Sequence, residues 1–387
     1  MCAKSPIPEH IANVIDGEEQ EASDGQVFLS LNPATGTELC TVARSGQTDV
    51  AAAVEAARRA QLEWSEMTPV ARGDLLREAA LLMRERRNQF AEIVSLETGK
   101  SRQDALGETG AAVEMGLFVA GEGRRFYGKT TTSAVAHRTS LVVRQPVGVA
   151  GLIIAANTPV ANVAWKAYPA LLCGNTAVMK ASEDTPATAW AVAKLFHEVG
   201  IPPGVFNVVQ GFGPEAGAPL VEHPDVDLIS FTGSCDVGRQ IQTTAAARLA
   251  KVCMELGGKN PLIVCDDANL DRAVVTAALS AFSNAGQRCA SGSRLIVFDG
   301  VYDRFKEQLL EYTRGLTLGS ADDDDLGPVI NQRQLDNMVA AVDRARQAGA
   351  TVLTGGGRMI DGAHRDGFFM MPTLLEGADA TDEISQA

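Results

Sequence analysis

From Val147 onward, short apolar runs alternate with stretches of helical spacing, and no other feature of the chain restricts its fold as much. The runs are Val149–Ile154, Ala177–Lys180, Val205–Val209, Leu228–Phe231 and Val252–Leu256. Strand, helix, strand repetition of this kind needs crossover connections, which build a parallel sheet covered by helices on both faces. The expected fold class is therefore α/β, with a sheet of the type that takes dinucleotides at the carboxyl ends of its strands. A second α/β unit is expected to start at Pro261–Val264 and to continue through Arg294–Phe298. Ahead of the sheet, apolar residues at helical spacing between Asp49 and Glu97 (Val50, Val54, Ala57, then Leu75, Leu76, Ala79, Leu82) predict a helical region. Between Gly128 and Pro146 a Thr-rich stretch runs into Thr139–Arg144, the pattern of a hairpin arm that leaves the domain body to pair elsewhere.

Composition narrows the function. With 387 residues, 45% hydrophobic and 21% charged, the chain can bury two or more cores. Its formal net charge of −14 repels phosphate backbones and anionic lipid, which argues against nucleic acid and membrane and in favour of a small molecule or a cradled cofactor. The longest apolar stretch, Leu141–Ala156, is broken by Arg144, Gln145 and Pro146, and the first six residues hold no hydrophobic signal core, so a cytoplasmic location is expected. Seven scattered cysteines (Cys2, Cys40, Cys173, Cys235, Cys253, Cys265, Cys289) include no C-x-x-C pair, which predicts reduced thiols and leaves room for a reactive one. The acidic run Asp322–Asp325 reads as a solvated loop, and no metal site is expected from it.

Five places could carry chemistry, and each has a bland alternative. Phe231-Thr232-Gly233-Ser234 ends a strand and opens a helix, where free N–H groups and a Ser cap suit a pyrophosphate; ordinary helix capping accounts for it equally. Lys180 and Glu183 follow a strand, where a cation and a carboxylate could hold ribose hydroxyls, or simply open a capped helix. Cys289 lies in the small, polar segment Asn284–Ser291, where Arg288 would favour thiolate, the species that attacks carbonyls; the alternative is a small hydrophobe. Glu255 ends a strand before Gly257-Gly258 and could act as a base or pair with Lys259. Asn157 follows the first strand of the sheet and could donate to an oxyanion or serve the turn before Pro159.

Taken in order, these segments resemble the aldehyde dehydrogenase superfamily over nearly the whole chain. The resemblance runs through Asn32-Pro33-Ala34-Thr35-Gly36, Glu97-Thr98-Gly99-Lys100, Gly174-Asn175-Thr176, Lys180–Glu183, Phe231–Ser234, Glu255–Lys259, Gly286-Gln287 with Cys289, Gly327-Pro328 and Pro372-Thr373. It implies a Rossmann-like cofactor domain (1–126 and 147–257), an oligomerisation arm (127–146) and a catalytic domain (258–387) left incomplete at its C-terminal end. It further implies that Cys289 attacks the aldehyde, that the Asn157 amide and the Cys289 N–H hold the oxyanion, and that Glu255 activates the water that hydrolyses the thioester. Ile154, Lys180, Ser182, Glu183, Gly213, Phe231, Thr232, Gly233, Ser234 and Leu256 are the implied cofactor contacts. NAD is favoured over NADP because Glu183 sits badly beside a 2′-phosphate.

Two departures from the family pattern bear on this reading. Ala155 and Ala156 stand where the family has Pro-Trp, which removes an aromatic beside the cofactor and enlarges the pocket. The sequence stops at Ile384-Ser385-Gln386-Ala387, where the family continues into Glu-x-Phe-Gly-Pro, so it is either a fragment of a longer protein or a truncated product; low activity and a tendency to associate are expected of the isolated chain if nothing follows Ala387, and a homo-oligomer (dimer or tetramer) if the C-terminal part is present. The competing functions are a coenzyme A-acylating dehydrogenase and an inactive, binding relative. Trp165 falls where the resemblance places the pocket lining, with no arginine there, which implies an apolar or aromatic aldehyde as substrate, whereas Arg288 beside Cys289 leaves semialdehydes open.

Overall fold

The computed structural model describes residues 5–386, so Cys2 and the extreme termini lie outside the described residues. The chain divides into two units. The first holds the residues up to Leu29, Cys40–Ala91 and Leu106–Met254; the second holds Ser30–Leu39, Glu92–Ala105 and the residues from Glu255 onward.

The first unit is built on a seven-stranded sheet in the order Lys251–Leu256, Leu228–Gly233, Val149–Ile153, Thr176–Lys180, Phe206–Val209, Asn13–Ile15, Glu18–Gln20. Three of its ladders are parallel and in step: Ile153 lies opposite both Lys180 and Phe231, and Lys180 lies opposite Val209. Counting the parallel-type strands in chain order from Val149, the sheet runs 5-4-1-2-3, so its order reverses between Val149–Ile153 and Leu228–Gly233. That reversal opens a crevice at the carboxyl edge. The strands Val149–Ile153, Thr176–Lys180 and Phe206–Val209 are buried along their whole length, as strands covered on both faces must be.

Local chemistry sets the helices. Pro159, Pro186 and Pro69 each occupy a first helical turn, where the missing N–H costs nothing, and they open Pro159–Leu172, Pro186–Glu198 and Pro69–Glu85. Thr68 caps the last of these by accepting from Ala71 N at 3.2 Å. The predicted helical region is Gln47–Glu66, Pro69–Glu85 and Arg87–Thr98. Gln47–Glu66 and Pro159–Leu172 both pack on the strand Thr176–Lys180. The hairpin is present as Lys129–Thr132 paired antiparallel with Thr139–Val142; both strands are exposed throughout and pair with no third strand among the described residues.

In the second unit Asn260–Val264 runs parallel to Gly292–Val297, with Pro261 opposite Arg294 and Val264 opposite Val297. The helix Leu270–Phe282 links the two strands, and Tyr302–Arg314 packs on that helix. Their core is Val264, Val274, Ala277, Ala278, Val301, Phe305 and Leu309. A bulge between Asn260 and Pro261 breaks the register at the end of the ladder that leads towards Cys289.

Among the described residues no helix is long and apolar enough to cross a membrane. The six described cysteines are free thiols, and among the described residues no group of three or more acidic, His or Cys side chains could hold a metal. The acidic run forms a turn of its own: Asp325 accepts from Thr317 N at 2.8 Å, and Asp324 from Ala321 N at 2.8 Å.

Candidate active site

In the first unit the strand register gathers the predicted cofactor residues. Because Phe231, Ile153, Lys180 and Val209 are successive partners across the ladders, whatever follows them emerges along one carboxyl edge. Ile154 and Asn157, Ser182 and Glu183, Gly213, and Thr232-Gly233-Ser234 all lie on such continuations. Ile154 is buried, and its N–H reaches Lys180 O at 3.4 Å, a weak bond that ends the strand one residue earlier than the sequence pattern predicts. The neighbouring strand instead runs on through Gly233.

Lys180 and Glu183 pair with each other at 2.6 Å; Lys180 is 3% exposed and Glu183 25%. A buried ammonium is tolerable only with such a partner, so the pair fixes a half-exposed carboxylate at the edge of the sheet. Ser234 caps the helix Cys235–Ala246, accepting from Val237 N at 3.4 Å, and is itself exposed at that helix's N-terminus. A Cβ placed on Gly213 would meet nothing within 4 Å, so its backbone is open to close approach. These groups suit a dinucleotide: a helix N-terminus for the pyrophosphate, a carboxylate for the ribose hydroxyls, and open backbone for the base.

Asn157 stands on the turn into Pro159–Leu172. Its Oδ1 accepts from Asn162 Nδ2 at 3.1 Å, and the same nitrogen reaches Ala155 O at 3.2 Å. The carboxylate of Glu108 accepts from Val160 N at 3.0 Å and Ala161 N at 3.3 Å, capping this helix start from outside the segment.

Cys289 belongs to the second unit, and Glu255 and Leu256 end the sheet strand Lys251–Leu256, within which the division between the units falls. Cys289 is exposed and follows three successive residues with left-handed backbone, Asn284 (φ 57°), Ala285 (φ 54°) and Gly286 (φ 71°). Only glycine adopts this region freely, and for the others it costs about 1–2 kcal/mol each. Gln287 is the clasp that holds the turn. Its Nε2 donates to Asn284 O at 3.1 Å and Pro328 O at 3.4 Å, and its Oε1 accepts from Ile330 N at 3.0 Å. Asn260 Nδ2 donates to Cys289 O at 2.7 Å and Ser291 O at 3.1 Å, while Arg294 Nε donates to Lys259 O at 3.0 Å. The segment that begins at Glu255 is thus tied by its far end to the loop that carries the thiol.

Glu255 is exposed and makes no ion pair among the described residues, so the pairing with Lys259 offered by the sequence does not form. Burial holds Lys259 below the ordinary ammonium range, against the pull of Glu383. The motif glycines also find a reason here. Gly99 has φ +69°, and a side chain on it would collide with the ring of Pro328, so Glu97–Lys100 and Gly327-Pro328 are two faces of one contact. Asn260 and Asn162 were not singled out in the sequence; the available signal for Asn162 was an amide among Val160, Ala161, Val163 and Ala164 on an otherwise apolar helix start.

A dinucleotide-binding sheet in the same chain as an exposed thiol on a pinned loop is the equipment of a cysteine-dependent dehydrogenase. Residues 20–387 match the model of the aldehyde dehydrogenase family, and the chain belongs to that family. It is 37% identical over 377 residues to the α-ketoglutaric semialdehyde dehydrogenase of Bacillus subtilis, covering 97% of this chain and 77% of that protein. It is 39% identical over 376 residues to the NADP(+) succinate-semialdehyde dehydrogenase of Escherichia coli, covering 96% and 77%. The crystal structure of betaine aldehyde dehydrogenase from Staphylococcus aureus in complex with NAD+ superposes with a TM-score of 0.96 at 34% identity, over 98% of this chain and 76% of that one. The protein is an oxidoreductase of aldehydes.

Proposed function

We propose that this chain oxidises an aldehyde to its carboxylic acid with Cys289 as nucleophile, Asn157 as oxyanion donor, Glu255 as hydrolytic base and NAD as cofactor. The observation that carries the reading is the loop of Cys289: an exposed thiol held on a left-handed turn by Gln287 and by the Asn260 amide on its own carbonyl. A side chain that merely fills a core needs no such fixture, whereas a nucleophile must be placed before it reacts.

Attack of the Cys289 thiolate on the carbonyl carbon forms the C–S bond and moves the carbonyl electrons onto oxygen. The Asn157 amide and the Cys289 N–H would hold that charge, as preorganised donors do. When bound, the dinucleotide supplies the hydride acceptor, and loss of hydride leaves the acyl group on Sγ as a thioester. Glu255 then takes a proton from water, the hydroxide adds to the acyl carbon, and the Cys289 sulfur leaves as thiolate. Transfer to coenzyme A would need no such base, and an exposed carboxylate without an ion pair favours hydrolysis.

Lys180, Ser182, Glu183, Gly213 and Ser234 would hold the adenosine and pyrophosphate, with Ile154, Phe231, Thr232, Gly233 and Leu256 around the remainder. The carboxylate of Glu183 accepts from ribose hydroxyls and repels a 2′-phosphate, which supports NAD over NADP. The exposed hairpin supports assembly into a homo-oligomer.

NADH absorbance and acyl trapping test the mechanism across short, aromatic and carboxylated aldehydes. Cys289→Ala is expected to abolish both the burst and turnover. Glu255→Gln is expected to keep the burst while turnover falls by about 10²–10⁴-fold. Undiminished turnover in Cys289→Ala removes the proposal.

A further inference from the structure

Asn162 is an anomaly of its helix. It occupies the first turn of Pro159–Leu172, is 4% exposed, and stands among Val160, Ala161 and Val163, none more than 1% exposed. Asparagine is a poor residue for a helix interior, and burying its amide is unfavourable unless the polar atoms are bonded. Here they are turned back on the preceding turn: Nδ2 lies 3.1 Å from Asn157 Oδ1, 3.2 Å from Ala155 O and 3.4 Å from Thr158 Oγ1. An amide nitrogen has two N–H bonds, so the two shorter contacts take them and the third is at most shared.

From this geometry we infer that Asn162 is a positioning residue for the oxyanion donor, an inference that rests on the role of Asn157 given above. An amide group is ambidextrous. Rotated by half a turn, Asn157 would present oxygen where it should present N–H, and an oxygen facing a developing alkoxide repels it. A donor on Oδ1 fixes which end points back towards the helix, and so directs the nitrogen end to the opposite side. The bond to Ala155 O fixes the turn itself, and Glu108 holds the next two N–H groups. No apolar residue at position 162 could make this choice of amide orientation.

The test is a double-mutant cycle read by the NADH burst rate, with thermal unfolding as a check on folding. Asn157→Ala is expected to slow the burst by about 10²–10³-fold, the usual loss for an oxyanion donor. Asn162→Leu is expected to slow it by about 10- to 10²-fold through misplacement, with the KM for NAD unchanged. The double variant is expected to be no slower than Asn157→Ala alone, because a residue that acts through another adds nothing once that other is gone. A burst in Asn162→Leu equal to wild type, or a double variant slower by the product of both losses, overturns the inference. If Asn157→Ala itself retains the full burst, the oxyanion assignment fails first and takes this inference with it. Should Asn162→Leu not fold, Asn162→Asp serves instead: it keeps the shape but puts an acceptor against Oδ1, and a burst rate equal to wild type there is likewise fatal.

Discussion

His197 faces inward from the helix Pro186–Glu198, and its Nε2 has no protein partner. Burial pushes its pKa below the ordinary histidine value, outweighing the bond with Ile201. The sign of the consequence follows from proton counting. An unfolded chain binds a proton near pH 6.5, whereas the folded protein binds one only at lower pH, so stability present above about 6.5 is lost as the pH falls through the folded value. We expect the drop in melting temperature between about pH 7.5 and 5.5 to be smaller in His197→Gln than in wild type; an equal drop would assign the loss to carboxylates. Cys289, Glu255 and Lys180 could be singled out as candidates from the sequence because their neighbours form recognisable motifs. His197 and Asn162 were not, because what distinguishes them is burial, and burial depends on partners far along the chain.

At the level of the element, the helices are fitted to one another more tightly than propensity alone would arrange. Gly116 lies within Arg102–Glu122, where an ideal Cβ would come 2.8 Å from both Ala80 Cβ and Tyr168 Cζ. Helix propensity alone predicts that Gly116→Ala gains about 1 kcal/mol, whereas overpacking against a second helix and a fully buried aromatic ring costs about 1–3 kcal/mol. The clash involves one atom fixed on a backbone and one rigid ring, so we expect the second effect to win and the melting temperature to fall; a rise would show that the helices can separate. The five sheet strands between Val149 and Leu256 were readable to within a residue or two because short apolar runs mark them, whereas Asn13–Ile15 and Glu18–Gln20 of the same sheet were not read, being too short to write a run of their own. The return of residues 30–39 and 92–105 to the second unit was not readable, since it depends on contacts such as Phe368 N to Pro33 O at 2.9 Å, which leave no local pattern.

At the scale of the whole molecule, the hairpin is the element with least support of its own. Leu141 (67% exposed) and Val143 (67% exposed) have no cover, and a lone two-stranded ribbon is marginal in water. A strand edge of this kind recruits another chain. Light scattering is expected to give a mass above the 40.8 kDa of a single chain, rising with concentration, and a Leu141→Lys, Val143→Lys variant is expected to return to the single-chain mass. An unchanged mass in that variant would exclude the arm as the contact. The amide of Asn260, bonded to the carbonyl of a cysteine 29 positions later, has a different bearing. The reactive segment is not a portable cassette: grafted alone onto another scaffold, residues 284–291 would deliver a thiol without the anchor that sets its depth, and anyone transplanting this chemistry must carry both strands of the pair.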